Sequence, residues 1–160
     1  MLNIKILCVG KLKEPFYIDA AAEYAKRLGA YCRLEVEALP EARRSANPSP
    51  AETAAALEKE AEALLRHIPR GAAVIALCVE GRELDSEGFS ALLTRYAAGG
   101  VSRLCFVIGG SDGLAPAVKQ SADLQLSMSK MTFPHHLARI LLLEQLYRGF
   151  QIAEGGKYHK

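Results

Sequence analysis

The chain has 160 residues, half of them hydrophobic and about a quarter charged, with 13 glycines and 7 prolines. That is the size of one domain, whose core buries roughly two thirds of the unfolded surface, and the composition excludes disordered, collagen-like and fibrous classes. Twenty Lys and Arg against 18 Asp and Glu leave a formal charge of +2, too little for a general positive coat, so nucleic-acid contact requires a local patch.

Leu2 to Val9 (LNIKILCV) is rich in branched apolar side chains and stops at Gly10, which predicts a mostly buried strand. Pro15 suits a first helical turn, apolar positions recur to Leu28, and Gly29 suits a helix end, so a helix over 15–28 follows. Cys32 to Leu39 alternates, with Arg33, Glu35 and Glu37 on the polar side, and predicts a strand with one wet face near a sheet edge. Pro40 to Pro50 (PEARRSANPSP) holds three prolines and Arg43-Arg44 and reads as an exposed loop of a length common in functional segments. Ser49 and Glu52 stand at capping-box spacing with Pro50 at the first helical position, which starts a helix that runs to His67.

Ala72 to Val79 (AAVIALCV) reads as a strand buried on both faces and ended by Gly81. A helix over 86–98, a buried strand over 104–108, a short helix over 114–121, a strand over 124–128 and a long helix over 135–152 complete the order. No repeat or low-complexity segment interrupts it. Strand and helix alternate throughout residues 1–160, which predicts a single α/β domain with a mainly parallel sheet. The last helix has apolar residues around its whole circumference and needs cover on more than one side, from a second subunit or from within the monomer.

Cys8, Cys32, Cys78 and Cys105 form no CxxC pair, and three of them lie in apolar runs; free core thiols in a reducing compartment are expected, hence a cytoplasmic protein. Met1 to Gly10 lacks a signal-peptide layout, and no apolar stretch has the roughly 20 residues that span a bilayer. From Lys130 onward Lys130, Arg139, Arg148, Lys157 and Lys160 face only Glu144 and Glu154, and His135, His136 and His159 lie there too. Such a stretch suits phosphate, or merely solubility.

Ligands of open α/β sheets collect at the carboxyl ends of strands. After Ile108 stands Gly109-Gly110-Ser111-Asp112-Gly113, which lacks the Lys-Ser or Lys-Thr of a phosphate loop and the spacing of a dinucleotide fingerprint; a structural turn remains open. Leu126 to Pro134 (LSMSKMTFP) leaves a strand through Ser, Met and Thr, so its backbone can read an adenine edge while Met128, Met131 and Phe133 cover its faces, or these three fill the core.

The segments VIGGSDGL (Val107 to Leu114), LSMSKMTFPHHLARILLLEQLYR (Leu126 to Arg148) and YHK (Tyr158 to Lys160), with VGKLKE (Val9 to Glu14), resemble the RlmH family of SPOUT-class pseudouridine N3-methyltransferases of large-subunit ribosomal RNA. The likeness spans essentially the whole chain. It implies a SPOUT fold with helices on both faces of the sheet and a C-terminal trefoil knot, S-adenosylmethionine as cofactor, a homodimer, no metal and no membrane. Carried onto matching positions, it places the cofactor at Leu77, Gly109, Gly110, Met128, Ser129, Lys130, Met131, Thr132 and Phe133. It implies methylation of ribosomal RNA within the ribosome, because so small a protein has no appended RNA-binding domain.

The imide N3 of pseudouridine reacts better once deprotonated, so a base or a cation near it is expected. On the resemblance His135 is the first candidate for a polar catalytic or base-positioning role and Arg148 for phosphate or anion stabilisation, while Tyr158 and His159 reach toward a pocket, that of a partner subunit included. The structural alternatives are a helix-capping His135 and an Arg148 paired with Glu144. Arg139, Arg148, Lys157 and Lys160, with Arg43 and Arg44, are the expected RNA contacts, and their effect should weaken as salt rises. The rival functions are a SPOUT methyltransferase acting on another RNA and a non-catalytic protein that binds a small ligand or assists ribosome assembly.

Overall fold

Successive side chains of a strand leave opposite faces, and in β1 (Leu2–Val9) both faces are buried: Leu2, Ile4, Ile6 and Cys8 enter one core, Leu7 and Val9 another. The same division runs through β3 (Ala73–Glu83), with Ile75 and Leu77 against Val74 and Ala76, and through β4 (Arg103–Ile108), with Leu104, Phe106 and Ile108 against Cys105 and Val107. Two cores demand helices on both sides of one sheet. The computed structural model, which describes residues Met1–Lys160, shows that layering.

The sheet has five strands in the order β2-β1-β4-β3-β5, every pair parallel, with β2 (Cys32–Leu39) and β5 (Leu124–Ser127) at its edges. The alternating pattern of β2 thus has the edge position it implied. On one face lie α1 (Pro15–Leu28), α3 (Ser86–Ala98) and α5 (His135–Ala153), joined by Leu28, Phe89, Leu92, Leu93, Leu142, Leu143 and Leu146. The other face carries α2 (Pro50–His67) and the short α4 (Pro116–Ser121), through Ala61, Leu64 and Val118. The apolar girth of α5 is explained within the monomer: it packs on the sheet and against both α1 and α3, where Ser90 Oγ donates to the Gly149 carbonyl at 2.6 Å.

Ser49 Oγ accepts from the Glu52 amide at 3.1 Å, the first half of the expected capping box. The second half is replaced: the Glu52 carboxylate accepts from the Ser45 amide at 2.8 Å and the Ser45 hydroxyl at 2.7 Å, which folds the proline-rich loop onto the helix start. All four cysteines are free. Burial pushes the Cys8 and Cys32 thiols up to about 11 and Cys105 up to about 12, so these stay protonated apolar filler. No helix is long and apolar enough to cross a membrane.

Two expectations need correction. Gly81 does not end β3, which continues to Glu83. Leu77 and Arg82 both pair with Leu126, so Cys78 to Gly81 loops out between them. A Cβ on Gly81 would lie 2.7 Å from the Gln125 carbonyl carbon, so the residue is glycine because β5 backbone occupies that space. Arg139 and Arg44 are the second correction, since neither is free for RNA. Arg139 is 3% exposed and donates to the Gly10 carbonyl at 2.7 Å, and the Arg44 side chain is 12% exposed between two carboxylates.

Gly81→Ala should force β5 away from β3 and cost about 1–3 kcal/mol, the usual range for overpacking. Thermal denaturation should show a midpoint lower by several degrees; an unchanged midpoint contradicts the close approach.

Candidate active site

The loop-out of β3 and the segments that follow β4 and β5 converge on one cleft of 710 Å³. The looped-out residues Cys78, Val79 and Glu80 form one wall, the glycine turn 109–113 the second, and the segment from Met128 to His135 the third. The cleft lies at the carboxyl edge of the sheet, where an α/β fold collects ligands.

Each wall is held by a local device. In the glycine turn a Cβ on Gly109 would overlap the Gly113 carbonyl, so the turn closes on itself only with glycine there. In the third wall Ser127 Oγ donates to the Ser129 carbonyl at 2.9 Å, and Ser129 Oγ accepts from the Met131 amide at 3.0 Å. The serines that stood out in the sequence therefore shape the loop through short-range side-chain bonds. Met131 is left 74% exposed, with its thioether free to cover a ligand.

Of the expected cofactor residues, Leu77, Gly109, Gly110, Met128, Ser129, Met131, Thr132 and Phe133 all line the cleft; Lys130 does not and is exposed to solvent. His135, first residue of α5, also lines it. Burial holds the His135 imidazole below the usual histidine range, and the neighbouring His136, Glu41, Arg139 and Glu14 charges act on it more weakly. The rings of His135 and His136 stand 4.0 Å apart, and a Cβ on Gly10 would meet His135 Nε2 at 3.6 Å and His136 Nε2 at 3.8 Å. Arg139, holding the Gly10 carbonyl, therefore fixes the β1–α1 connection beside both histidines.

Arg148, Tyr158 and His159 assemble elsewhere. Arg148 Nε donates to Glu144 Oε1 at 2.9 Å, Tyr158 OH donates to the same oxygen at 3.1 Å, and His159 Nδ1 lies 3.1 Å from Arg148 Nη1. The guanidinium also covers the Tyr158 ring, 4.7 Å from its centroid, and burial with help from Tyr24 and Glu144 pushes the Tyr158 phenol up to about 12. The chain end thus folds back on α5. Arg148 lies thirteen residues along the helix from His135, about 20 Å at 1.5 Å per residue, so one protomer does not bring the tail cluster to its own cleft.

Sequence reasoning missed several members of the cleft. Glu80 and Lys119 form an ion pair and both line it, as do Cys78, Ser111 and Asp112. In the sequence the turn after Val79 stands at a strand end, where a site is expected, but a lone Glu80 does not single itself out there, because its partner Lys119 lies far along the chain. Asp112 was within the GGSDG motif, but its partner Arg44 is far away in sequence. No group of three His, Cys, Asp or Glu side chains is placed to hold a metal ion.

A family model described as a predicted SPOUT methyltransferase matches residues 2–159. A protein of Bifidobacterium animalis named ribosomal RNA large subunit methyltransferase H is 46% identical over 159 residues, which cover 99% of this chain and all of that protein. The protein of the same name from Bacillus thuringiensis is also 46% identical over the same share of both chains, and a putative one from Methanococcus maripaludis is 42% identical. Among solved structures, a probable methylase family protein of Haemophilus influenzae superposes with a TM-score of 0.57 at 16% identity, over 99% of this chain and 71% of that one. A probable methyltransferase of Bordetella pertussis also gives 0.57 at 16% identity, over 92% of this chain and 96% of the other. At that identity the two structures speak for the fold alone.

Because the folded-state pKa of His135 lies below its unfolded value, the unfolded chain takes up a proton more readily. The associated stability is present above about pH 6.5, the ordinary histidine value, and is lost as pH falls through the lowered one. NMR titration of the imidazole should give a midpoint under that value, and His135→Gln should lessen the acid-side loss of thermal stability. A midpoint at or above the ordinary value contradicts the lowering by burial.

Proposed function

The chain belongs to the SPOUT methyltransferase family, and from that premise we propose that it methylates N3 of a pseudouridine in large-subunit ribosomal RNA on the assembled ribosome, with S-adenosylmethionine as donor. The observation that carries this reading is the convergence of the β3 loop-out, the glycine turn, the segment after β5 and His135 on one cleft, in a chain so similar over its length to proteins named for ribosomal RNA methylation.

The cleft suits the cofactor on its own chemistry. Its volume of 710 Å³ lies within the roughly 300–1,000 Å³ of small-molecule sites. Leu77, Ile108, Leu114, Met131 and Phe133 offer apolar walls for an adenine, the turn 109–113 lets backbone approach a ribose, and the charged Glu80 and Lys119 suit an amino-acid head. When bound, S-adenosylmethionine supplies a methyl group on a sulfonium sulfur whose neutral thioether is the leaving group.

The protein's part is alignment, proton removal and exclusion of water. His135, whose partial burial disfavours the protonated ring, accepts the proton of the imide nitrogen. The amino end of α5 opens at His135, and the positive end of the helix dipole steadies the negative charge that develops on the uracil ring. Met131 and Phe133 close over the reacting groups.

We assign Arg148, Tyr158 and His159 to a partner's cleft in a homodimer, because the helix length between Arg148 and His135 keeps them from their own. The connection from β4 passes β3 to reach β5 at the sheet edge, and α5 returns over the sheet to α1 and α3. That path supports the trefoil threading expected of the family. With Arg139 and Arg44 engaged inside the protein, the exposed Lys11, Lys13, Arg43, Lys157 and Lys160 take over as RNA-facing cations.

The pure protein incubated with labelled S-adenosylmethionine and whole ribosomes, free large subunits or naked ribosomal RNA, followed by nucleoside mapping, tests the reaction and the substrate together. The expected product is N3-methylpseudouridine at one position, formed on whole ribosomes, and His135→Ala should lower the rate by about 100-fold or more. Label on another atom or another RNA contradicts the substrate assignment. Donor binding without any methylated nucleotide favours a non-catalytic ligand-binding or assembly protein.

A further inference from the structure

Outside the cleft, one pair of opposite charges is withdrawn from water together: the side chains of Arg44 and Glu60 are 12% and 3% exposed. Arg44 Nη1 donates to Glu60 Oε2 at 3.0 Å and to the Ala42 carbonyl at 2.7 Å, and the Ala42 amide donates to the same Glu60 oxygen at 2.9 Å. From this anchor on α2 the guanidinium reaches the glycine turn, with Arg44 Nε 2.7 Å from Asp112 Oδ2. A second link runs parallel to it: Ser111 Oγ donates to Glu41 Oε1 at 3.0 Å. A Cβ on Gly110 would stand 3.3 Å from that oxygen, so the loop is packed onto the turn.

A buried ion pair adds little net stability, because the loss of hydration offsets the attraction. It does fix geometry, since the guanidinium plane is rigid: Nη1 is hydrogen-bonded to Glu60, while Asp112 is held by charge, close to Nε but outside hydrogen-bond geometry. Here the plane has Glu60 on one side and Asp112 on the other, and Asp112 with Ser111 lines the cleft while Arg44 does not.

We infer that Arg44 is a positioning residue: braced on Glu60, it sets the conformation of turn 109–113 through Asp112, and so sets the affinity of the cleft for its cofactor. The inference rests on the methyl-donor reading of that cleft. Lysine at this position keeps a positive charge beside Glu60, but its single nitrogen does not span both carboxylates.

The test is calorimetric titration of S-adenosylhomocysteine, the donor after loss of its methyl group, into the wild type, Arg44→Met, Arg44→Lys, Asp112→Asn and the Arg44→Met/Asp112→Asn double variant, with the thermal midpoint of each recorded. Arg44→Met should weaken binding by about tenfold, an ordinary coupling between groups in one network. In the Asp112→Asn background the same change should weaken it by less than about twofold, because the link is already cut. In turnover the Arg44 variants should raise KM for the donor and leave kcat close to wild type. Arg44→Lys should lose affinity at an unchanged midpoint, and it decides the matter where Arg44→Met does not fold. Wild-type affinity in both Arg44 variants, or an equal loss with and without Asp112, overturns the inference alone. Absence of any binding to the wild type overturns the methyl-donor reading and this inference with it.

Discussion

The cleft depends on backbone lying directly against backbone at two points where a Cβ has no room. At Gly81 the end of β3 comes back against Gln125 and Leu126 of β5 after looping out four residues, and at Gly109 the turn after β4 folds onto Gly113. The first contact pushes Cys78, Val79 and Glu80 away from the sheet to make a wall, and the second keeps the opposite wall thin. With a side chain at either place the walls separate, since close-packed interiors accommodate a misplaced methylene only by shifting backbone. The all-parallel sheet then needs only to end β4 and β5 beside the loop-out of β3 for the three segments to meet.

Charge supports these walls from behind. Arg139 lies under the β1–α1 connection and holds the Gly10 carbonyl beside His135 and His136; Arg44 lies between α2 and the glycine turn. Both sit inside the protein at a desolvation cost that a structure selected for stability alone has little reason to bear. The effect is a site whose surface is made of loops and whose loops are tied to rigid elements, the arrangement that keeps reacting groups aligned. The tail follows a different logic. Arg148, Glu144, Tyr158 and His159 satisfy one another on the flank of α5, a compact, half-buried ion pair with an aromatic cover.

The secondary structure was legible because period and punctuation agree in this chain. Pro15 and Pro50 open helices, Gly29 and Gly99 follow them, and the alternating β2 lies at the edge its polar face required. Gly81 misled for a physical reason: a glycine that stops a strand and one that admits a neighbouring backbone look the same in a sequence. The cofactor segments were recognised from family likeness, and all but Lys130 line the cleft. Arg44 and Arg139 look like RNA-facing cations in the sequence because composition does not show which charge has a buried partner far along the chain. Their partners, Glu60, Asp112 and the Gly10 carbonyl, become visible only when the sheet has brought distant loops together.

The central claim is that these three walls enclose a methyl donor with its activated carbon turned toward His135. A crystal structure of the protein with S-adenosylhomocysteine tests it most directly. The account predicts density for the adenine among Leu77, Met131 and Phe133, with the sulfur facing the amino end of α5. Clear density for the ligand at any other place, over an empty and collapsed cleft, would contradict it.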